Sequence, residues 1–152
     1  MRNAALADSG PLLALFDRGD AHHRRVAAFL RDHPDIRLLT THAVVTETAA
    51  LLAARVGHAA QLDFLEWVER GGLALVDFGP GSLRRVIEIV SKYRDLPFDF
   101  ADATLAEACA RLGIDAILSI DRDFDIYRTN ARLPLKNLLG HAAPRARRRT
   151  SR

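Results

Sequence analysis

Residues 117–128 read ILSIDRDFDIYR, a short apolar strand that runs directly into three acids at alternate positions, Asp121, Asp123 and Asp125. Carboxylates held close together repel one another, and each is costly to remove from water unless a cation neutralises it. A turn that needed only solubility could use Ser, Asn or Lys at a lower electrostatic cost. This stretch therefore predicts either a solvated helix cap or a cation site at the end of a buried strand.

The spacing Asp-x-Asp-x-Asp also opens a calcium-binding EF-hand loop. That loop requires Gly at its sixth position and a bidentate Glu at its twelfth. Ile126 and Arg132 occupy those positions here, so an EF-hand is excluded. A capping role remains open for any single aspartate, because helix N-termini favour negative charge.

Length and composition predict one globular domain. The chain has 152 residues, 49% of them hydrophobic, which is enough for a sizeable core. No apolar run approaches the 18 or more residues of a membrane span, and Asp8 interrupts the N-terminal stretch before a signal-peptide core can form. Cys109 is the single cysteine, which excludes disulfides and cysteine zinc sites. We therefore expect a cytoplasmic protein with no membrane association.

The net charge of +3 is concentrated at one end of the chain. Residues 141–152 carry five arginines and no acid, and the remainder has 17 basic and 19 acidic side chains. We expect a folded domain over residues 1–140 and a basic, disordered tail over 141–152. Such a tail either contacts nucleic acid or is a solvated extension, and the sequence leaves both open.

Short apolar segments alternate with amphipathic ones along the chain. Strands are predicted at residues 3–7, 36–41, 73–78, 115–120 and 133–138, with helices between them. Strands that are apolar on both faces are typical of parallel sheets covered by helices. The sequence therefore predicts a three-layer α/β/α domain with a short, mainly parallel sheet. Within the helices, Ser9 is a plausible N-cap, and we expect several apolar residues to face inward, among them Val56, Leu62, Leu65 and Ile87.

Four acids are expected to meet at one edge of this sheet. Asp8 ends the first strand and Asp121 follows the fourth, and the carboxyl ends of parallel strands lie along the same edge. Helices that follow such strands begin there too, which brings in Glu47 and Asp102 from the first halves of their helices. Asp99 lies three residues before Asp102 and can face the same way. Each acid alone could be a cap or a solvent-facing residue; their convergence is better explained by a bound metal.

The donor set selects the kind of metal. Oxygen ligands without Cys or a well-placed His are typical of Mg²⁺ or Mn²⁺. Hard divalent ions in an acidic cleft serve phosphoryl chemistry, because they orient the phosphate and activate water. We therefore expect metal-dependent phosphoryl chemistry, with Asp8, Glu47, Asp102 and Asp121 as catalytic residues and Asp8, Asp102 and Asp121 as metal ligands.

Four stretches together resemble the acidic motifs of PIN-domain ribonucleases, most of all the VapC-like toxins of toxin–antitoxin pairs. They are ALADSGPLLALFD, VVTETAALL, FADATLAEACARLG and ILSIDRDFD, in that order, within residues 3–138. By this resemblance, Asp8 corresponds to the acid of the first strand and Glu47 to that of the T-x-E helix. Asp102 corresponds to the acid of the D-A helix and Asp121 to that of the closing S/T-x-D motif.

Four further residues are assigned secondary positions. Ser119 corresponds to the hydroxyl residue of the closing motif, where the family often has Thr. Asp99 and Asp123 correspond to more variable positions, and Ser9 stands beside Asp8.

The resemblance implies a Mg²⁺- or Mn²⁺-dependent endoribonuclease with RNA as substrate, a homodimer, and a small antitoxin partner. A non-catalytic RNA-binding PIN-like module and a housekeeping RNA-processing nuclease remain alternatives. A phosphoaspartate receiver is disfavoured because the chain has only two lysines, Lys92 and Lys136, neither in the required position. A haloacid-dehalogenase-type phosphatase needs Asp-x-Asp after the first strand, where this chain has Asp8, Ser9 and Gly10.

Overall fold

The sheet has five strands, all paired in parallel, in the order β3-β2-β1-β4-β5. The computed structural model describes residues 2–140. Its strands are β1 (Ala4–Ala7), β2 (Arg37–Thr41), β3 (Ala74–Val76), β4 (Ala116–Leu118) and β5 (Lys136–Asn137). The predicted parallel sheet is confirmed. The predicted tail, residues 141–152, lies outside the described residues, so the domain boundary stays a prediction.

Helices connect the strands because parallel neighbours need a crossover between them. They are α1 (Ser9–Phe16), α2 (His23–Asp32), α3 (His42–Arg55), α4 (His58–Glu69), α5 (Ser82–Lys92), α6 (Phe100–Leu112) and α7 (Asp123–Ile126). Helix α6 ends at Gly113, whose φ of 65° is a left-handed conformation that favours glycine. Within residues 2–140, no helix is both long enough and apolar enough to cross a bilayer.

The centre of the core is strand β1 together with α6. All four residues of β1 are buried, and Leu6 lies between Leu39 of β2 and Ile117 of β4. Helix α6 packs over this region, and every residue from Ala101 to Cys109 is buried. Burial raises the pKa of the Cys109 thiol to about 12, in keeping with a structural role for this cysteine.

Two local predictions were wrong. Ser9 does not cap α1; the N-cap is Asp8, whose side chain accepts a hydrogen bond from the Ser9 N–H. Several apolar residues expected to face inward are instead exposed, by 38–50% of their surface: Val56, Leu62, Leu65 and Ile87. In α4 the buried positions are Ala60 and Phe64, because this peripheral helix is covered only along a narrow face against α1 and α3.

Candidate active site

Asp8 and Ser119 meet where the two central strands end. The Asp8 N–H donates to the Leu118 carbonyl (2.9 Å), which extends the β1–β4 pairing beyond the strands. The Asp8 Oδ1 accepts from the Ser9 N–H (2.8 Å), and its Oδ2 accepts from the Ser119 hydroxyl (3.1 Å). Both side chains are buried, with Asp8 only 3% exposed. The Asp8 carboxylate is therefore held in a fixed orientation by one donor on each oxygen.

Asp121 and Asp123 follow β4 and border the same point. Asp121 is exposed in the bend after the strand, and its backbone carbonyl lies 3.3 Å from the Ser119 hydroxyl oxygen. Asp123 is half-buried at the first position of α7. Asp121 therefore lies near the buried carboxylate of Asp8, and Asp123 lies near that of Asp102.

Asn137 fixes the Ser119 peptide and was not predicted from the sequence. Its side-chain NH₂ donates to the Ser119 carbonyl (3.0 Å), and its Oδ1 accepts from the Ser119 N–H (3.3 Å). An amide side chain thus pairs with the backbone just beyond β4. The available signal was an amide residue within the short last strand.

Asp99 and Asp102 form a reciprocal cap at the start of α6. The Asp99 Oδ1 accepts from the Asp102 N–H (3.0 Å), while the Asp102 Oδ2 accepts from the Asp99 N–H (3.1 Å). Each carboxylate uses one oxygen in this capping box, and within residues 2–140 the other oxygen makes no hydrogen bond. Asp102 is 8% exposed and Asp99 is exposed. The cap fixes both side chains and leaves one oxygen of each available.

Glu47 approaches from α3, and a contact between two threonines holds that helix in place. Thr41, directly before α3, lies with its hydroxyl 2.8 Å from the Thr104 hydroxyl in α6. Both threonines are buried. Glu47 is half-buried in the second turn of α3. The role of these threonines was not predictable, because single hydroxyl residues in apolar segments carry no distinctive signal.

The electrostatics show which acids lie close together. Burial raises the pKa of Asp8 to about 7, and the negative charges of Asp121 and Glu47 add to the effect. Burial raises the pKa of Asp102 to about 8, with further contributions from Asp8, Asp99 and Asp123. The structure therefore brings together the acids of β1, α3, α6 and the β4–α7 segment.

The pKa values of two further acids, Glu47 and Asp123, are raised by burial and by neighbouring carboxylates. The pKa of Glu47 is raised by burial, then by Asp99 and Asp121. The pKa of Asp123 is raised by the same three influences, burial first. We call the six acids the acidic cleft: Asp8, Glu47, Asp99, Asp102, Asp121 and Asp123. Ser119 contacts it through its hydroxyl, and Ser9 only through its backbone N–H.

No basic side chain compensates the acidic cleft in the described part of the chain. The ion pairs between residues 2 and 140 involve other acids, and none involves the six cleft residues. Buried Glu107, outside the cleft, shows the contrast, because Arg111 donates to it at 2.8 Å. Within residues 2–140 the fold therefore neutralises buried Glu107 and supplies no basic partner for the cleft acids.

A divalent cation fits the chemistry of this set of oxygen donors. Within residues 2–140, no three or more His, Cys, Asp or Glu side chains are already arranged to hold an ion. Mg²⁺ keeps several waters and usually takes only one or two protein carboxylates, together with substrate phosphates. Oxygen-only donors with uncompensated negative charge meet that requirement.

Most of the chain matches a known domain family. A sequence model of the PIN domain matches residues 5–130. The chain belongs to the PIN-domain family. The resemblance found in the four acidic motifs is thereby confirmed.

This PIN domain is similar to two proteins whose names refer to Mycobacterium tuberculosis. Ribonuclease VapC26 is 31% identical over 117 residues, which are 77% of this chain and 86% of the relative. The crystal structure of VapC20, a sarcin-ricin loop cleaving toxin, matches with a TM-score of 0.73 at 22% identity. That match covers 80% of this chain and 92% of VapC20, and it confirms the three-layer fold.

Proposed function

We propose that this PIN-domain protein is a metal-dependent endoribonuclease that hydrolyses RNA phosphodiester bonds, and that it is the toxin of a toxin–antitoxin pair. The carrying observation is the acidic cleft, whose charge no basic side chain between residues 2 and 140 neutralises. The likeness to Ribonuclease VapC26 supports RNA as the substrate.

Asp8, Asp102 and Asp121 are the residues that would hold Mg²⁺ or Mn²⁺. When bound, such an ion supplies positive charge that offsets the negative charge of the phosphate, and it lowers the pKa of bound water. Hydrogen bonds within the protein already orient two of these three carboxylates. The Ser119 hydroxyl and the Ser9 N–H orient the Asp8 carboxylate, and the capping box orients Asp102.

Glu47 is proposed as the general base. It is half-buried, and the raised pKa of its carboxylate makes it a stronger base than an ordinary glutamate at neutral pH. Asp99 and Asp123 contribute negative charge beside the primary residues and tune the affinity of the site.

The remaining parts of the proposal rest on resemblance to VapC toxins. They are a homodimer and a small antitoxin partner. The cytoplasmic location and the basic tail after a nuclease domain of residues 1–140 are proposed from composition instead. Co-expression with the gene that neighbours this one tests the antitoxin, since a true partner would suppress growth arrest caused by this chain.

Cleavage of RNA in the presence and absence of metal tests the activity. Purified protein should cut RNA with Mg²⁺ or Mn²⁺ and stop after chelation with EDTA. Asp121→Asn should abolish cleavage, whereas Asp63→Asn, on the exposed face of α4, should cut at the wild-type rate. Cleavage that persists after thorough chelation would contradict the metal mechanism.

A further inference from the structure

A polar cavity, which we call the basic pocket, lies between α5 and residues 127–132. Its volume is about 190 Å³, and four cationic side chains line it: Arg85, Lys92, Arg128 and Arg132. The body of the chain is otherwise slightly acidic. Four cations around one small cavity are therefore a local exception that solubility alone does not require.

Most of the positive charge in the basic pocket is uncompensated. Glu88 pairs with Arg85 at 3.1 Å and is the single acid among the lining residues. Lys92, Arg128 and Arg132 form no ion pair with any residue from 2 to 140. Arg128 is held in place by donating to backbone carbonyls, including that of Tyr127. The pocket therefore presents three net positive charges.

Two phenol groups add neutral donors to the same lining. The Tyr127 hydroxyl is buried and makes no hydrogen bond within residues 2–140. Burial raises the pKa of the Tyr127 phenol, and the Arg85 guanidinium beside it lowers that pKa. The Tyr93 hydroxyl accepts from the Arg128 N–H (3.0 Å), so its own hydrogen is free to be donated. A buried hydroxyl without a partner is unusual, and Tyr127 is one of the residues that line the basic pocket.

The turn that carries Arg132 adds a conformational cost. The Arg132 N–H donates to the Thr129 carbonyl (2.8 Å), and the Thr129 N–H donates to the Leu133 carbonyl (2.9 Å). Arg132 has a φ of 60°, which an arginine rarely adopts. Unfavoured backbone of this kind often occurs where a binding residue must be positioned.

We propose that the basic pocket binds a phosphate group of the RNA substrate at a point away from the bond that is cut. A phosphate presents only acceptor oxygens, and the pocket presents mainly donors and positive charge. The proposal rests on the proposed function, because RNA supplies the phosphate.

A cluster of aromatic rings connects the basic pocket with the acidic cleft. Phe98 stacks on Tyr127 with ring centroids 5.8 Å apart, and its edge contacts Phe124 at 5.3 Å. Phe98 directly precedes Asp99, and Phe124 directly follows Asp123. One cluster of buried rings therefore connects residues of the basic pocket with the neighbours of two cleft acids, and we infer that one RNA strand can contact both sites.

Salt dependence of RNA binding tests the contact. Full-length protein in EDTA binds a fluorescent single-stranded RNA, and the log of the affinity is measured against the log of salt concentration. Each lost phosphate contact should reduce the slope by ~0.7. Lys92→Ala with Arg132→Asn should reduce it by ~1.4, and Asn is chosen because it tolerates positive φ. As a control, the double variant Lys136→Ala with Arg55→Ala removes two positive charges outside the basic pocket. Its slope should change less than that of the Lys92/Arg132 variant.

Tyr127→Phe tests the orphan hydroxyl without removing the ring. We expect weaker RNA binding with the same salt slope, because the lost donor is neutral, and equal or higher thermal stability, because the hydroxyl has no partner to lose. Unchanged RNA binding in this variant, together with an unchanged slope in the Lys92/Arg132 variant, would overturn the proposal.

Cleavage kinetics separate this proposal from the proposed function. On long RNA the Lys92/Arg132 variant should show a raised KM with kcat unchanged, and on a dinucleotide it should match wild type. If wild type binds RNA more tightly than this variant but cuts nothing, the proposed activity fails and the pocket stands. If wild type cuts RNA and the variant binds and cuts identically, the pocket proposal alone fails. A Lys92/Arg132 variant that binds RNA normally but no longer binds the antitoxin would also overturn the pocket proposal.

Discussion

Asp8→Asn should remove catalysis and yet stabilise the metal-free protein. The substitution keeps the shape of the side chain and its hydrogen bonds: the Asn Oδ1 can still accept from the Ser9 N–H. Its NH₂ can donate to the Ser119 oxygen, whose own hydrogen can turn to the Asp121 carbonyl. The fold therefore loses a buried negative charge without losing a contact.

The size of the effect follows from the pKa of Asp8, which rises from 3.8 to about 7 in the folded protein. The folded state therefore binds a proton more tightly than the unfolded state. The stability associated with that proton is fully present below pH ~4 and is lost as pH rises toward 7. Three pKa units correspond to at most ~4 kcal/mol. At pH 8 we expect Asp8→Asn to raise the free energy of unfolding by about 2–4 kcal/mol, or roughly 4–16 °C in Tm.

Thermal and urea unfolding in EDTA, at pH 4 and pH 8, measures this difference. The gain should be large at pH 8 and nearly absent at pH 4, and the exposed variant Asp63→Asn should change little at either pH. Cleavage of RNA with Mg²⁺ is measured on the same samples. An Asp8→Asn protein that is less stable than wild type at pH 8 would refute the argument, and full activity would remove Asp8 from the site.

Three further predictions concern the metal and the tail. Asp102→Asn should be inactive at any Mg²⁺ concentration, whereas Asp99→Asn should regain part of its activity as the Mg²⁺ concentration is raised. Asparagine at either position can still accept the hydrogen bond of the capping box. The opposite result would mean that Asp99 is the metal ligand and Asp102 the neighbouring acid. Mg²⁺ binding must displace the protons held by Asp8 and Asp102, because burial raises the pKa of both carboxylates. Calorimetry should therefore show that the affinity for Mg²⁺ rises from pH 6 to pH 8, by up to ~10-fold per pH unit for each proton released. An affinity that does not depend on pH would contradict this prediction. Deleting residues 141–152 should flatten the salt dependence of RNA binding by ~0.7 per lost phosphate contact, and an unchanged slope would leave the tail a solvated extension.

The fold was predictable because its central strands are apolar on both faces. In β1 every residue is buried, and the short apolar runs at Leu38–Leu39 and Ala116–Leu118 read the same way. The inward faces of the outer helices were less predictable. Helices such as α4 and α5 are covered on one side only, so exposed Leu62 or Ile87 carries the same hydrophobic signal as buried Phe64 or Ile89.

The acids of the candidate site were predictable from their position at strand and helix ends, because parallel topology brings those ends to one edge. The residues that orient them were not. Asn137 acts through backbone groups of Ser119, and Thr41 acts through Thr104, and neither pair is related by local spacing. Such contacts depend on how distant segments pack, which a single sequence does not reveal.

The central position of β1 also determines when the protein can become active during its synthesis. Leu6 pairs with Ile117, and Asp8 meets Ser119, so residues from opposite ends of the chain form the middle of the sheet. Asn137 must also be synthesised before its side chain can bond to the Ser119 backbone. Contacts between such distant segments form late. A nascent chain that stops short of residue 121 lacks part of the acidic cleft, so we expect this PIN domain to gain activity only after its closing segment has been synthesised.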